Sequence, residues 1–293
     1  MQAMILAAGL GTRLLPHTMV RPKPLFPILN QPLLLLTVRR LQRLGFDHIV
    51  INCHHLREQI ITALEGFKGV VLQQEEHILG TGGGLRKALH QLRDEPLFVT
   101  NGDIYHTVDI TRFHDHHLVS GNKVTLAMHD FPRFNSVAVD GDTICEFRSN
   151  EKTESLAFTG LHFIEPSVLE DIESDTFSCI IDHYKSMLSA GESIGIYRVD
   201  DCFWTDMGTE KDYLALHKGL LTGTVPCWQE ALPVGKPFCI DTRVKVPEDL
   251  RLKDWACIGN VQICKDINIG RAVVWDDILL QPGTVLEDTI VSF

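Results

Sequence analysis

The chain has 293 residues, of which 44% are hydrophobic, and this is enough for one large domain and a smaller one. A formal net charge of −11 argues against a nucleic-acid surface, and no apolar run is long enough to cross a membrane. The first residues enter a strand at once and the eight cysteines show no C-x-x-C spacing, so we expect a cytoplasmic protein with reduced thiols and no signal peptide.

Strands and helices alternate in the first 130 residues. Apolar runs predict strands at 3–7, 48–53, 69–73, 96–100 and 123–129, and periodic segments predict helices at 32–44, 56–64, 82–92 and 109–119. This alternation is typical of an α/β fold with a doubly wound, mainly parallel mixed sheet. Ligands of such sheets bind beyond the carboxyl ends of the strands, so the segments that follow the first and fourth strands should share one edge.

The pattern changes after residue 130. Residues 136–164 read as shorter strands, which we interpret as an antiparallel insertion. Helices are predicted near 166–172, 178–190 and 210–221, with a strand at 194–199. Prolines then mark a connecting segment without strong periodicity. We therefore predict one domain at 1–222 and a linker with a small second domain at 223–293.

An aliphatic residue recurs at every sixth position of the tail. These residues are Val261, Ile267, Val273, Leu279, Val285 and Val291. The period predicts a short left-handed parallel β-helix, in which each of these side chains stacks inside a triangular coil, and a few ordinary β-strands are the alternative. No histidine follows His217, so acyl transfer is not predicted. We expect the β-helix to pack on the large domain or to form the interface of a homo-oligomer.

The first strand runs into a glycine-rich loop that carries fixed positive charge. Residues 5–27 read ILAAGLGTRLLPHTMVRPKPLFP, with Arg13 after the glycines and Lys23 between two prolines. Glycine lets backbone N–H groups approach an anion and the cations neutralise it, so the segment predicts a polyphosphate site. Leu14 stands where a G-x-G-x-x-G loop needs its third glycine, and no P-loop sequence occurs. An ordinary glycine-rich turn would not need the two cations.

Two aspartates stand where a metal ion is expected. Asp103 ends the run F-V-T-N-G-D after a predicted strand, and Asp206 lies in F-W-T-D-M-G-T. Mg²⁺ is typically held by one or two carboxylates together with substrate phosphates and waters. A lone aspartate at the end of a strand more often caps a helix, so the metal prediction depends on both residues together.

These motifs resemble those of the sugar-1-phosphate nucleotidyltransferases, or nucleotide-sugar pyrophosphorylases. LAAGLGTR…PKPLFPI is similar to the family signature, and N-G-D and W-x-D-x-G-T are similar to its two metal motifs. The resemblance implies a Rossmann-like nucleotidyltransferase domain that transfers a nucleoside monophosphate from a nucleoside triphosphate to a sugar 1-phosphate. It also implies Mg²⁺ on Asp103 and Asp206, with Arg13 stabilising the leaving pyrophosphate and Lys23 contacting phosphates near the reacting centre.

The resemblance assigns nucleotide contacts as well. The residues implied are Leu6, Ala7, Ala8, Gly9, Gly11, Thr12, Glu75, Gly80 and Thr81. Glu75 stands where uridylyl and thymidylyl members often carry a glutamine, and a carboxylate there would accept two N–H bonds from guanine. Gln73 or Gln74 would serve uracil after a shift of the loop. The base stays open between guanine and uracil, as in mannose-1-phosphate guanylyltransferases or N-acetylmuramate-1-phosphate uridylyltransferases.

The segments expected to bind the sugar match the family patterns less closely than the nucleotide segments do. The segment F-T-G-L-H at 158–162 looks like the family's sugar-lining segment, and the sugar-binding residues implied are Asn101, Thr159, Gly160, Glu151 and Lys152. The family's F-x-E-K becomes F-R-S-N-E-K, so the acidic and basic pair arrives two residues late. Either a bulge returns Lys152 to its place or Arg148 substitutes for it.

Two other functions are compatible with the sequence. A catalytically silent regulatory or sensor subunit would bind nucleotide sugars, but such relatives tend to lose the arginine, lysine or aspartates that this chain keeps. The mismatch at 148–152 also leaves room for another phosphomonoester acceptor, such as phosphocholine in a cytidylyltransferase. The partners expected for the leading hypothesis are a nucleoside triphosphate and a sugar 1-phosphate, with no nucleic acid and no membrane.

Overall fold

The computed structural model describes residues 1–147, 154–232 and 235–293. The strands are β1 (Gln2–Leu6), β2 (Pro27–Ile28), β3 (Gln31–Pro32), β4 (His48–Cys53), β5 (Val70–Gln74), β6 (Leu97–Asn101), β7 (Tyr105–His106), β8 (Val124–His129), β9 (Val137–Asp140), β10 (Thr143–Phe147), β11 (Ser155–Ile164), β12 (Gly195–Arg198), β13 (Trp204–Thr205), β14 (Phe238–Ile240), β15 (Arg251–Ile258), β16 (Gln262–Ile263), β17 (Asn268–Val274), β18 (Leu279–Leu280), β19 (Val285–Glu287) and β20 (Ile290–Val291). The helices are α1 (Leu33–Arg43), α2 (Arg57–Ala63), α3 (Gly80–Ala88), α4 (Ile110–Ser120), α5 (Ile180–Ser189) and α6 (Glu210–Thr222).

The chain divides into two compact units, and each is described by itself. Unit 1 comprises residues 1–9 and 41–204, and unit 2 comprises residues 10–40 and 205–293. Each strand and helix predicted before residue 130 is present. Among the described residues, no helix combines the length and the apolar character needed to cross a membrane.

Unit 1 is built on a nine-stranded sheet in the order β5-β4-β1-β6-β11-β8-β12-β10-β9. Strands β5, β4, β1 and β6 are parallel, β11 is antiparallel to both β6 and β8, and β12 is parallel to β8. Strand β10 is antiparallel to both β12 and β9. The sheet is therefore mixed, with a parallel run of β5, β4, β1 and β6, and the predicted α/β fold with a mixed sheet is confirmed.

The interpretation of 136–164 as an antiparallel insertion is wrong for its last strand. Strands β9 and β10 pair at the edge of the sheet, but β11 lies near its centre, between β6 and β8. Its second half is buried without a break from Leu161 to Ile164, which is typical of a strand covered on both faces. The predicted helix at 166–172 is a 3₁₀ helix, Pro166–Asp171.

Two of the polar side chains buried in unit 1 are in ring contact and lack hydrogen-bond partners among the described residues. The imidazole of His162 on β11 and the phenol of Tyr184 on α5 lie with ring centroids 5.9 Å apart. Neither ring nitrogen of His162 nor the hydroxyl of Tyr184 has a hydrogen-bond partner within the described ranges. Burial lowers the pKa of His162 to about 3, because the charged imidazolium is disfavoured where water is excluded.

The tail in unit 2 consists of parallel strands. Strands β14, β15, β17 and β19 form one sheet, β20 also pairs with β17, and β16 pairs with β18. Successive strands follow at unequal intervals, since Arg251 pairs with Asn268 whereas Ala256 pairs with Ala272. With these pairing offsets, the inward-facing positions cannot recur at every sixth residue. The prediction that every sixth residue points inward is wrong at Leu279 and Val285, which are 50% and 67% exposed.

A single arginine connects three turns of the tail. Asp254, Arg271 and Asp288 all have positive φ, of 59°, 50° and 49°. The guanidinium of Arg271 donates to Asp288 at 2.7 and 2.8 Å, to Asp254 at 2.5 Å and also to Glu287. These contacts link Asp254 on β15 and Arg271 on β17 to Glu287 at the end of β19 and to Asp288, which follows it.

Candidate functional site

In unit 1, two predicted site segments share the carboxyl edge of the sheet. Leu6 at the end of β1 is in register with Asn52 on one side and with Asn101 on the other. The Gly102 N–H donates to the Leu6 carbonyl at 2.8 Å. The residues that follow β1 and those that lead from β6 to Asp103 therefore lie at one edge, as the sequence predicts.

Asn52 is a residue that sequence reasoning missed. It lies near the end of β4, and its Oδ1 accepts a 2.7 Å hydrogen bond from the Ala7 N–H. Its Nδ2 donates to Oε1 of Glu75, also at 2.7 Å. The available signal was a polar residue near the carboxyl end of an apolar strand, which is where ligands of such sheets bind. Asn52 thus links the start of the glycine loop to the segment after β5.

Glu75 is a buried residue in this structure. It is 1% exposed, and its Oε2 accepts a hydrogen bond from the Leu79 N–H at 3.2 Å. A side chain at Gly84 would approach the Asn52 amide and Glu75 Oε1 to 2.9 and 3.1 Å, so glycine is required for this packing. Both carboxylate oxygens of Glu75 are engaged within the protein, and they hold the backbone that begins α3.

The glycines at the start of α3, within residues 79–83 (L-G-T-G-G), pack against the chain itself. The N–H of Gly82 donates to the Ser178 carbonyl at 2.8 Å, and a Cβ at Gly80 would lie 2.5 Å from the same oxygen. Thr81 Oγ1 accepts from the Ile180 N–H at 2.9 Å. The missing side chains therefore permit the close approach of residues 176–180 to the start of α3.

The predicted sugar segment is brought together with Asn101. Gly160 has φ +79° within an irregular part of β11, and a Cβ there would lie 2.9 Å from Asn101 Nδ2. Thr159 is buried, and its carbonyl accepts from Trp204 Nε1 at 2.8 Å. Trp204 was not selected as a site residue from the sequence. Glu151 and Lys152, like Arg148, lie outside the described residues.

In unit 2, two cations converge on one aspartate. The Lys23 ammonium donates to the Asp206 backbone carbonyl at 2.8 Å, although Lys23 is only 6% exposed. Arg13 Nη2 lies 3.3 Å from Asp206 Oδ2, and the Arg13 side chain is 60% exposed. The two sequence motifs that carry these residues therefore form one cluster, which we call the Arg13–Lys23–Asp206 cluster.

The local backbone explains this geometry. Gly11 has φ +65° and its carbonyl accepts from the Leu14 N–H at 2.9 Å, which starts the 3₁₀ turn Thr12–Leu14 that carries Arg13. The Gly208 N–H donates to Asp206 Oδ1 at 3.0 Å. A Cβ at Gly208 would lie 2.5 Å from Arg13 Nη1 and 2.8 Å from Asp206 Oδ2. Only glycine at that position leaves room for the arginine.

Each unit contains one of the two aspartates predicted to bind metal. In unit 1 Asp103 lies just beyond β6 and is partly exposed, and in unit 2 the Asp206 side chain is 21% exposed, so each presents carboxylate oxygens of the kind that a hard cation takes. Within the part of the chain that the structure describes, no group of three or more His, Cys, Asp or Glu side chains gathers to hold a metal by itself. Among those residues, therefore, neither aspartate belongs to a cluster that would enclose an ion, and a hard cation such as Mg²⁺ can take most of its ligands from phosphates and water.

Comparison with known families identifies the class of protein. The family model described as Nucleotidyl transferase matches residues 2–223. The chain belongs to this family. The enzyme class predicted from the sequence is therefore confirmed: this is a nucleotidyltransferase. Members of the family generally use a divalent metal.

Individual relatives of this nucleotidyltransferase span most of its length. It is 27% identical to the mannose-1-phosphate guanylyltransferase of Mycobacterium tuberculosis, over 97% of this chain and 82% of that protein. It is 26% identical to the UTP–glucose-1-phosphate uridylyltransferase of Synechocystis, over 99% of this chain and 87% of that protein. The structure of UDP-glucose pyrophosphorylase from Acinetobacter baumanii covers 75% of this chain and 93% of its own, with a TM-score of 0.63 and 18% identity, and so shares the fold.

Proposed function

We propose that this nucleotidyltransferase transfers a nucleoside monophosphate from a nucleoside triphosphate to a sugar 1-phosphate, which gives a nucleoside diphosphate sugar and pyrophosphate. The observation that carries the proposal is the Arg13–Lys23–Asp206 cluster, because it gathers two cations and a carboxylate from motifs far apart in sequence. The names of the relatives support sugar 1-phosphates as acceptors.

The chemistry needs alignment and charge neutralisation more than proton transfer. A phosphate oxygen of the acceptor, already ionised, attacks the α-phosphorus in line, and the bond from that phosphorus to the β-phosphate bridging oxygen breaks. Arg13 is proposed to stabilise the departing pyrophosphate, and Lys23 to contact the phosphates near the reacting centre. No general base is required, so the absence of a predicted catalytic histidine is consistent with this mechanism.

We propose Mg²⁺ as the metal, with Asp103 and Asp206 as its protein ligands. When bound, such an ion neutralises phosphate charge and polarises the α-phosphate. The contribution of the chain is to place the two carboxylates. Asp103 lies just beyond the end of β6, and Asp206 Oδ1 is oriented by the Gly208 N–H.

The nucleotide is proposed to lie against the carboxyl edge of β1. The residues assigned to it are Leu6, Ala7, Ala8, Gly9, Gly11, Thr12, Glu75, Gly80 and Thr81. Within this set we propose that Glu75 shapes the base pocket by holding Asn52 and Leu79, since both of its oxygens already accept hydrogen bonds. Guanine and uracil are both supported, by the guanylyl and uridylyl relatives respectively.

The sugar is proposed to contact Asn101, Thr159 and Gly160, with Glu151 and Lys152 completing the set. Support comes from the close approach of Gly160 to Asn101 and from the fixed position of the Thr159 carbonyl.

For the whole chain, we propose a catalytic domain at 1–222 and a linker with a short left-handed β-helix at 223–293 that forms a homo-oligomer interface. The family match ends at residue 223, and the tail strands are parallel. We place the protein in the cytoplasm, where its eight cysteines, which form no disulfide in the described residues, would stay reduced. Light scattering behind size exclusion tests the assembly, and a monomer would contradict the proposed interface.

The reaction is tested by a matrix of nucleoside triphosphates against sugar 1-phosphates with Mg²⁺, in which released pyrophosphate is measured. We expect release with GTP or UTP and one sugar 1-phosphate. Asp103→Asn should abolish turnover and keep the fold, with Asp201→Asn at an exposed site as the matched control. If no pair releases pyrophosphate, the proposal is contradicted. Full activity in Asp103→Asn would show that Asp103 is not a metal ligand.

A further inference from the structure

In unit 2, a buried histidine of the cation-bearing loop contacts both α6 and the end of the tail. His17 is 6% exposed. Its Nδ1 lies 2.7 Å from Ser292 Oγ, and its Nε2 lies 3.2 Å from Glu210 Oε1. Both ring nitrogens are therefore matched by partners that come from parts of the sequence far from the loop.

A buried tryptophan of the tail contacts the same loop at two points. The Trp275 ring packs edge-on against Phe26 with centroids 4.7 Å apart, and the Arg21 guanidinium lies 4.8 Å from its centroid. The Trp275 Nε1 donates to the Tyr213 hydroxyl at 3.2 Å, and that hydroxyl donates to the Pro27 carbonyl. Aromatic pairs and cation–π contacts of this kind are directional. They constrain the backbone on both sides of Lys23.

The loop residues held by His17 and Trp275 pack against the residues that carry Arg13 and Lys23. Thr18 follows His17, and its Oγ1 donates to the Gly11 carbonyl at 3.3 Å. A Cβ at Gly11 would lie 2.8 Å from Thr18 Cγ2 and 3.4 Å from Lys23 Cβ, so the loop is closely packed. A shift at His17 would therefore reach the turn that carries Arg13, because a close-packed interior transmits displacement.

We propose that Trp275 and Ser292 of the tail, with Glu210 and Tyr213 of α6, are positioning residues that hold residues 11–27 in the conformation in which Arg13 and Lys23 converge on Asp206. The tail thereby contributes to nucleoside triphosphate binding without contacting the reacting atoms. The kinetic part of this inference rests on the proposed nucleotidyl transfer, whereas the structural part does not.

The test compares two buried tryptophans of the tail. Trp275→Leu removes the contacts to Arg21, Phe26 and Tyr213, while Trp275→Phe keeps an aromatic ring. Trp255→Leu is the matched control, since Trp255 is 3% exposed and its Nε1 has no hydrogen-bond partner within the described ranges. The readouts are kcat and KM for the nucleoside triphosphate, thermal unfolding, and amide hydrogen exchange over residues 11–27 without substrate.

We expect Trp275→Leu to lower kcat/KM about 10- to 100-fold, mainly through KM for the nucleoside triphosphate, because misplaced binding groups lose the benefit of alignment. Exchange over residues 11–27 should accelerate, and Trp275→Phe should recover part of both effects. Trp255→Leu should change the unfolding temperature and leave loop exchange as in the wild type. Equal kinetic and exchange effects in the two leucine variants would overturn the inference.

Ser292→Ala is a second variant that removes only a hydroxyl and serves if Trp275→Leu fails to fold. It should accelerate exchange at residues 17–20, and unchanged exchange there would also overturn the inference. A wild-type protein that releases no pyrophosphate would contradict the proposed reaction instead, while the exchange comparison still decides the positioning role.

Discussion

The ammonium of Lys23 is hydrogen-bonded to the backbone carbonyl of Asp206, 183 residues further along the chain. The side chain of that aspartate meets Arg13. One residue of the W-x-D-x-G-T motif thus fixes the lysine through its backbone and faces the arginine through its carboxylate. The Arg13 side chain is largely exposed, and a pair with one such partner contributes at most about 1 kcal/mol to stability. The pair therefore matters mainly because it positions the Arg13 guanidinium, and adds little to stability.

Lys23→Met should lower kcat by about 100-fold or more, because a buried cation near the transferring phosphates contributes on this scale. Methionine keeps most of the volume and removes the charge. The measurement is steady-state pyrophosphate release, with thermal unfolding to confirm the fold. Lys211→Met, on the exposed face of α6, is the control. Comparable rates in both variants would contradict the role of Lys23.

Gly208→Ala should impair activity by disturbing the Arg13–Asp206 pair. The added Cβ would meet Arg13 Nη1 at 2.5 Å and the Asp206 carboxylate oxygens at 2.8 and 2.9 Å, and the exposed guanidinium is the more adaptable of the two partners. We expect a loss of about tenfold or more in kcat/KM, with little change in unfolding temperature, since the contact removed is at the surface. The control is Gly141→Ala, where a Cβ meets nothing within 4 Å but φ is +55°. Wild-type kinetics for Gly208→Ala would show that the arginine tolerates displacement.

Glu75→Gln should destabilise the protein by about 1–3 kcal/mol. The carboxylate accepts from Asn52 Nδ2 and from the Leu79 N–H, and an amide nitrogen in place of either oxygen would face a donor in a buried site. Urea unfolding measures the cost, with Glu76→Gln at the neighbouring exposed position as control. The same variant assayed with GTP and UTP tests base choice. A changed GTP-to-UTP ratio with full stability would instead assign Glu75 to direct contact with the base.

His162 makes stability depend on pH. Its pKa is about 3 in the folded chain and near 6.5 when exposed, so between these values the unfolded chain binds a proton that the folded chain does not. Stability contributed by the neutral imidazole is complete above pH 6.5 and is lost as the pH falls toward 3. His162→Leu should reduce this loss by up to about 1.4 kcal/mol per pH unit.

The measurement is the free energy of unfolding in urea at pH 7, 5.5 and 4.5. His77→Leu provides the comparison at an exposed position, and the difference between the two slopes is the quantity of interest. Identical slopes would mean that His162 takes up its proton in the folded state.

Local pattern was sufficient for the five long strands and four helices of the first 130 residues, because hydrophobic periodicity decides strand and helix over short windows, but it did not predict the two-residue strands β2, β3 and β7. It did not predict the place of β11, since strand order depends on pairing between distant segments. The six-residue period predicted for the tail was wrong for a related reason. Unequal intervals between paired strands shift the inward positions, and a fixed count of six cannot follow them.

In the candidate site, too, local motifs were predicted from the sequence, whereas contacts between distant segments were not. The motifs identified Arg13, Lys23 and Asp206, whose convergence is visible in unit 2. Asn52 was missed because its significance comes from Ala7 and Glu75, which lie far from it in sequence. The resemblance assigns Gly80 to the nucleotide, whereas a Cβ at that position would meet Phe177 and Ser178 of the chain itself. Glycine marks a close approach in the sequence but does not identify what approaches.

The contacts of Arg271 offset a repulsion between carboxylates that would otherwise make the tail sensitive to ionic strength. One guanidinium stands among the carboxylates of Asp254, Glu287 and Asp288, so its removal would leave three like charges at adjacent turns. Their repulsion weakens as dissolved ions shorten the Debye length, which is about 10 Å at 0.1 M salt and 3 Å at 1 M. An Arg271→Met protein should therefore hold its tail better in concentrated salt than in dilute buffer. A halophile-like response would then follow from the loss of a single side chain.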